Sequence, residues 1–173
     1  MNNEVLEAMK TRRSIRAYEE KQITREEVEA VTEAGTYAAS GMGRQSAQMV
    51  VVQDPETVAL LSKLNAQVMG TENDPFYGAP TVVVVFADPE RPTYVQDGSL
   101  VIGNLLLAAH TVGLGSCWIH RAKEVFSMPE GKALMKKWGV PEQYVGIGHC
   151  ILGYIKGEAP KVAPRKEGYV IYA

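Results

Sequence analysis

Thr81-Val82-Val83-Val84-Val85-Phe86-Ala87 is a run without a charge or an apolar/polar alternation. A strand with one wet face alternates, whereas a continuous β-branched run reads as a strand buried on both faces. Such a strand needs helices on each side, and the flanking sequence offers them. Thr24 followed by Glu27 has capping-box spacing, and Val28, Val31 and Ala34 recur at helical period, so 25–36 reads as a helix closing near Gly35. Asp54-Pro55 opens another, with Val58, Leu61 and Leu64 on one face and Asn65 near its end. Residues 100–112, capped by Asp97 or Ser99, are apolar nearly all round, which places this helix at the centre of the core or in a subunit interface. Short helices are expected over 2–10 and from Pro129 to Gly139. Further strands are expected at 49–53, 116–119 and 144–155, the last spaced by Gly146, Gly148 and Gly153.

At 173 residues the chain supports one core and one domain, 1–173. A net charge of -2 gives no reason to expect nucleic-acid binding. No apolar run reaches transmembrane length, and Glu4, Glu7 and the arginines after them break any signal-peptide pattern, so a cytoplasmic protein is expected. Cys117 and Cys150 sit in apolar stretches without metal-ligand spacing and read as buried free thiols.

The chemistry-bearing residues lie elsewhere. Arg12-Arg13-Ser14-Ile15-Arg16 places three guanidinium groups and a hydroxyl within five positions, and Pro164-Arg165-Lys166 is a second basic cluster near the C-terminus. Arginine's planar donor fork suits phosphate. On composition alone a solvated basic surface remains the alternative reading of both clusters. Residues 38–47 break helical period with two glycines around Met42 and read as a polar, ligand-touching loop. After Gly157, two prolines and no period describe an extended arm over 157–173. It ends in Tyr169-Val170-Ile171-Tyr172, a strand-forming run that wants a partner, such as a second copy of the chain.

Several enzyme classes lack their signatures. There is no Gly-x-Gly-x-x-Gly between strand and helix, no Walker loop and no Gly-x-Ser-x-Gly elbow. His110, His120 and His149 show no metal spacing; His110 reads as a core residue and His120, just past a strand end, as one that could face a ligand. No carboxylate pair is placed for acid/base work. An enzyme of this kind would need a cofactor to carry the chemistry.

The sequence resembles the flavin-dependent nitroreductase family in its short-chain form, through four features in order. Arg12-Arg13-Ser14-Ile15-Arg16-Ala17-Tyr18 matches the opening Arg-Arg-Ser-x-Arg-x-aromatic signature, and Ala38-Ala39-Ser40-Gly41-Met42-Gly43-Arg44-Gln45 resembles the Ala-Pro-Ser-x-x-Asn-x-Gln loop. Ala108 to Ile119 matches the stretch where an Ala-rich helix ends in Gly-Leu-Gly-Ser, and Pro164-Arg165-Lys166 matches the C-terminal Pro-Arg-Lys.

The resemblance implies an α+β, three-layer fold: a central, mostly antiparallel sheet flanked by helices, in a homodimer that exchanges its C-terminal arms. It implies FMN at the dimer interface. Arg12, Arg13, Ser14 and Arg16, helped by Arg165 and Lys166, would hold the phosphate and ribityl chain. Asn65 would bond the pyrimidine edge of the ring. Ser40, Met42 and Gln45 would line the cofactor from the second subunit, and Trp118, Ile119, His120 and Arg121 would lie beside the isoalloxazine. The implied reaction is ping-pong: NADH or NADPH delivers hydride to flavin N5, and a nitroaromatic, quinone or similar acceptor then takes the electrons. His120 would be the proton donor. Dehalogenation, substrate oxidation, flavin breakdown and non-enzymatic FMN binding are alternatives on the same scaffold. Gly43, Ser46 and the pair His120-Arg121 depart from the family pattern, which has an acidic residue and a glycine at the last two positions.

Overall fold

The computed structural model describes residues 3–173. The 81–87 run forms strand β2 (Thr81–Ala87), buried at every position. It pairs antiparallel with β1 (Ala47–Val52) and β4 (Val145–Gly153), and β4 pairs with β3 (Gly115–Ile119), giving the order β1-β2-β4-β3 with every pair antiparallel.

Period 2 divides β2 between two cores. Val82, Val84 and Phe86 face one apolar cluster, which holds Leu61 and Leu64 of helix α3 (Pro55–Met69) and Phe126. Val83, Val85 and Ala87 face the other, built on Val28 and Val31 of α2 (Arg25–Thr36) and Ile102 and Leu105 of α4 (Tyr94–Thr111). The expected three-layer α+β architecture is present. The α2 capping box also forms: Thr24 Oγ1 accepts from the Glu27 amide, and the Glu27 carboxylate accepts from the Thr24 amide. Helix α1 (Glu4–Thr11) is N-capped by Asn3; position 2 of the helix expected over 2–10 lies outside the described residues.

Helix α4 begins at Tyr94, not near residue 100. Asp97, Gly98 and Ser99 look like breakers in sequence, but each has a place inside the first turns. A Cβ on Gly98 would collide with Ile147, so the glycine lets α4 lie close against β4. Ser99 Oγ donates back to the Val95 carbonyl at 2.6 Å. Asp97 caps nothing in α4 and instead holds a distant loop. The outer face of α4 remains uncovered within the protomer, Leu100 being 49% exposed.

Strand β4 stops at Gly153; Ile155 makes only an isolated bridge to Tyr18. Two short helices, α5 (Ala122–Val125) and α6 (Pro129–Trp138), close the first core, and the sequence reading missed α5 because four residues carry no period. Tyr169 to Tyr172, read as strand-forming, forms no strand: the arm is irregular and these four side chains are exposed.

Candidate functional site

Residues 12–18 leave the end of α1 and run along the sheet. Ser14 bridges Ser116 in parallel, and the Ile15 amide donates to the Ser116 carbonyl at 3.0 Å. Buried Ile15 and Tyr18 pin the segment, with Tyr18 Oη donating to the Ile15 carbonyl at 2.8 Å. The backbone is therefore fixed where the side chains of Arg12, Ser14 and Arg16 emerge. These three surround the buried Cys117 thiol: burial raises its pKa, while Arg16, Ser14 and Arg12 pull it back down. Arg13 turns away and donates to the carbonyls of Lys10 and Arg12 at 2.7 and 2.6 Å. Half-buried His110 sits at the far end of the knot, its Nε2 2.9 Å from Thr11 Oγ1, and so is not the core residue expected.

Nη1 of Arg12 is buried and, among the described residues, has no hydrogen-bond partner. A desolvated guanidinium nitrogen without an acceptor is costly, and an anion beside it removes that cost. Together with Ser14 and Arg16, this donor set fits a phosphate group.

The second half of the site follows β3. At its end the chain turns through Arg121, whose φ of 75° and ψ of 14° put a non-glycine residue in the left-handed region, at a cost of roughly 1–2 kcal/mol. Two buried side chains hold this turn. Asn65, on α3 and fully buried, donates Nδ2 to the His120 carbonyl at 2.7 Å and accepts from Arg121 Nε at 3.1 Å. His149, on β4 and also fully buried, places Nδ1 3.4 Å from the Ile119 carbonyl between the rings of Phe76 and Phe126. The carbonyl accepts, so the proton sits on Nδ1 of a neutral ring. Burial pushes the His149 pKa down to about 4, and Nε2 has no partner. Sequence reasoning gave His149 no role. Its only signal was a histidine within an otherwise apolar strand.

Arg16, Trp118, Ile119, His120 and Arg121 line one cavity of about 320 Å³, with Cys117 in its wall. The structure thus brings together the ring-side residues and one arm of the basic knot, with Asn65 directly behind them. Residues Thr71, Asn73 and Asp74 separate this cavity from a larger groove of about 900 Å³ over α3. His120 is exposed and Arg121 half-buried.

Other predicted residues are not brought to this cavity within the protomer. Ser40 and Gln45 line a different, smaller hollow with Asp97, and Met42 is 86% exposed. That loop is well defined: Met42 and Gln45 both take positive φ, and buried Asp97 accepts from the Gly41 amide at 2.9 Å and from Ser46 Oγ at 2.7 Å. Arg165 and Lys166 lie on the exposed arm. Arg165 donates to the Ala163 carbonyl at 2.6 Å, and Lys166 Nζ stands 5.2 Å from the centre of the Tyr169 ring.

Comparison with known proteins gives one consistent answer. Residues 9–154 match the Nitroreductase family. A protein of Archaeoglobus fulgidus named "Putative NADH dehydrogenase/NAD(P)H nitroreductase" is 36% identical over 161 residues, covering 90% of this chain and 87% of its own. A Bacteroides fragilis nitroreductase with bound FMN superposes with a TM-score of 0.91 at 32% identity, covering 99% of this chain and all of the other. A nitroreductase with bound FMN from Desulfitobacterium hafniense gives 0.89 at 26% identity with both chains fully covered. With a family model over most of its length and a relative 36% identical along 90% of it, this chain belongs to the nitroreductase family.

Proposed function

We propose that this protein is an FMN-dependent NAD(P)H oxidoreductase that works as a homodimer. The observation that carries the reading is the buried Nη1 of Arg12, unpartnered among the described residues, on the same knot as Arg16, which lines the cavity with residues 118–121. Arg12, Ser14 and Arg16 would bind the FMN phosphate and ribityl chain, with Arg165 and Lys166 closing over it from the arm; Arg13 would join them only by giving up the carbonyls of Lys10 and Arg12. Bound there, FMN supplies the redox chemistry, hydride transfer from NADH or NADPH through N5 in ping-pong order to a nitroaromatic, quinone or similar acceptor.

The chain's own contribution is orientation. Asn65 and His149 hold the carbonyls of Ile119 and His120 toward the protein interior. With those carbonyls fixed, the backbone amides of the same turn would be preorganised donors that stabilise charge without reorganising during the reaction. The uncovered face of α4 and the exposed 169–172 run support association with a second copy, whose Ser40, Met42 and Gln45 would complete the cofactor site. Exposed His120 lines the cavity and would hand a proton to the acceptor; unchanged reoxidation rate and pH dependence in His120→Ala would remove it from that role.

The visible spectrum of the purified protein tests the reading directly. A flavin band is expected, or its appearance on adding FMN, and it should bleach anaerobically with NADH or NADPH. A protein that gains no flavin absorbance overturns the assignment. One that binds FMN but is bleached by neither nicotinamide is a binding protein and not a reductase.

A further inference from the structure

Arg121 lies beside the ring in the cofactor reading, which gives its guanidinium no task in the cavity it lines. It occupies a backbone conformation that suits glycine, yet carries the longest cationic side chain available. Its guanidinium is held in place: Nε donates to buried Asn65, and Nη2 reaches only the Met69 thioether at 3.3 Å, a weak acceptor. Among the described residues the ion pairs are Lys10–Glu7, Arg25–Glu29 and Arg91–Asp88, so no carboxylate neutralises Arg121. The one carboxylate lining the cavity, Asp74, is turned into its own loop, where it accepts from the Ser62 hydroxyl and from the amides of Phe76 at 2.8 Å and Gly78 at 2.6 Å. Arg16, the cavity's other arginine, is committed to the phosphate by the reading above.

We propose that the cavity selects an anionic electron acceptor, an aromatic carboxylate whose charged group is received by the Arg121 fork with exposed His120 beside it. A planar guanidinium fixed at one edge presents its remaining donors in the geometry that a carboxylate accepts. The inference rests on the reductase reading. For a nitrobenzoate, the nitro group takes the hydride equivalent of NAD(P)H and one solvent proton to give the nitroso compound and water. The carboxylate is a handle and is unchanged.

The test compares kcat/KM for 4-nitrobenzoate and 4-nitrobenzamide, which share a ring and differ in charge. The wild type should favour the carboxylate about 10–100-fold, the range of a charge-assisted bond. In Arg121→Gln the ratio should fall to within about twofold of unity, with the loss in KM for the carboxylate. Arg121→Lys, which keeps the charge but not the fork, should fall between, and it carries the test if the Gln variant does not fold. The ratio is the readout, so a general loss of activity cancels. A wild-type ratio near one, or an Arg121→Gln variant that keeps the wild-type ratio, overturns the proposal and leaves the reductase reading intact. A protein that takes up no FMN overturns both.

Discussion

Asn65 and His120 are joined by a 2.7 Å bond from a fully buried amide to a backbone carbonyl, and the other end of that amide holds Arg121. A side chain on α3 thereby grips both residues of the turn that follows β3. Removing it in Asn65→Ala strands a part-buried carbonyl and frees the Arg121 head, which should destabilise the fold by about 1–3 kcal/mol in urea unfolding. Asn65→Asp keeps the acceptor for Arg121 and loses the donor to His120, so its FMN affinity separates the two contacts. Unfolding of the alanine variant at the wild-type midpoint would show that the turn holds itself.

Arg12→Ala should weaken FMN binding about 10–100-fold, the loss of one charge-assisted hydrogen bond to a dianion. Activity should fall with the lost cofactor and return on adding excess FMN. Fluorescence titration of the apoprotein measures the affinity. Normal affinity in this variant would leave the buried Nη1 without an explanation.

His149 predicts acid lability. Its folded pKa of about 4 lies below the ordinary histidine value of 6.5, so below pH 6.5 the unfolded chain binds the extra proton and the native state does not. Stability should therefore fall as pH drops from 6.5 to 4, by about 3 kcal/mol from this one group. In His149→Gln, which can still donate to the Ile119 carbonyl, that slope should disappear from chemical denaturation series across the same window. A slope unchanged in the variant would assign the lability to other groups.

Asp97 predicts a loss in the same direction at lower pH. Burial raises its pKa, but bonds from Ser46, Gly41 and Thr93 outweigh that and leave it below the ordinary carboxylate value. A depressed carboxylate stabilises the fold above its unfolded pKa of 3.8, and the contribution disappears as pH falls below that value through the folded pKa. Asp97→Asn should mimic the acid form at neutral pH: the 40–46 loop loses an anchor, and limited proteolysis there should speed up. Equal cleavage in both proteins would mean that the positive-φ turn is stable without the carboxylate.

What could be read from the sequence divides by the range of the contacts involved. β2 was legible to the residue because a run of β-branched side chains buried on both faces needs no partner to identify it. The α2 cap and the glycine-flanked path at Met42 were legible because their determinants lie within a few positions. The start of α4 was not, since what calls for a glycine inside its first turns is the close approach of Ile147, 49 residues on. The roles of Asn65 and His149 at the turn were also hidden, because they come from α3 and β4 and converge on three consecutive residues of another segment. The basic knot was legible as a cluster, while Arg13's turn away from the site depends on carbonyls freed at the end of α1. The reading of 169–172 as a strand ran ahead of what one protomer can supply.

The left-handed backbone at Arg121 sets thermal resistance against substrate choice. A search for heat-tolerant variants would converge on glycine there, since relief of the strain is immediate and the Asn65 bond and the weak Met69 contact are what argue against it. The winner of such a search would be sturdier and, on the reading given above, indifferent to the charge of what it reduces.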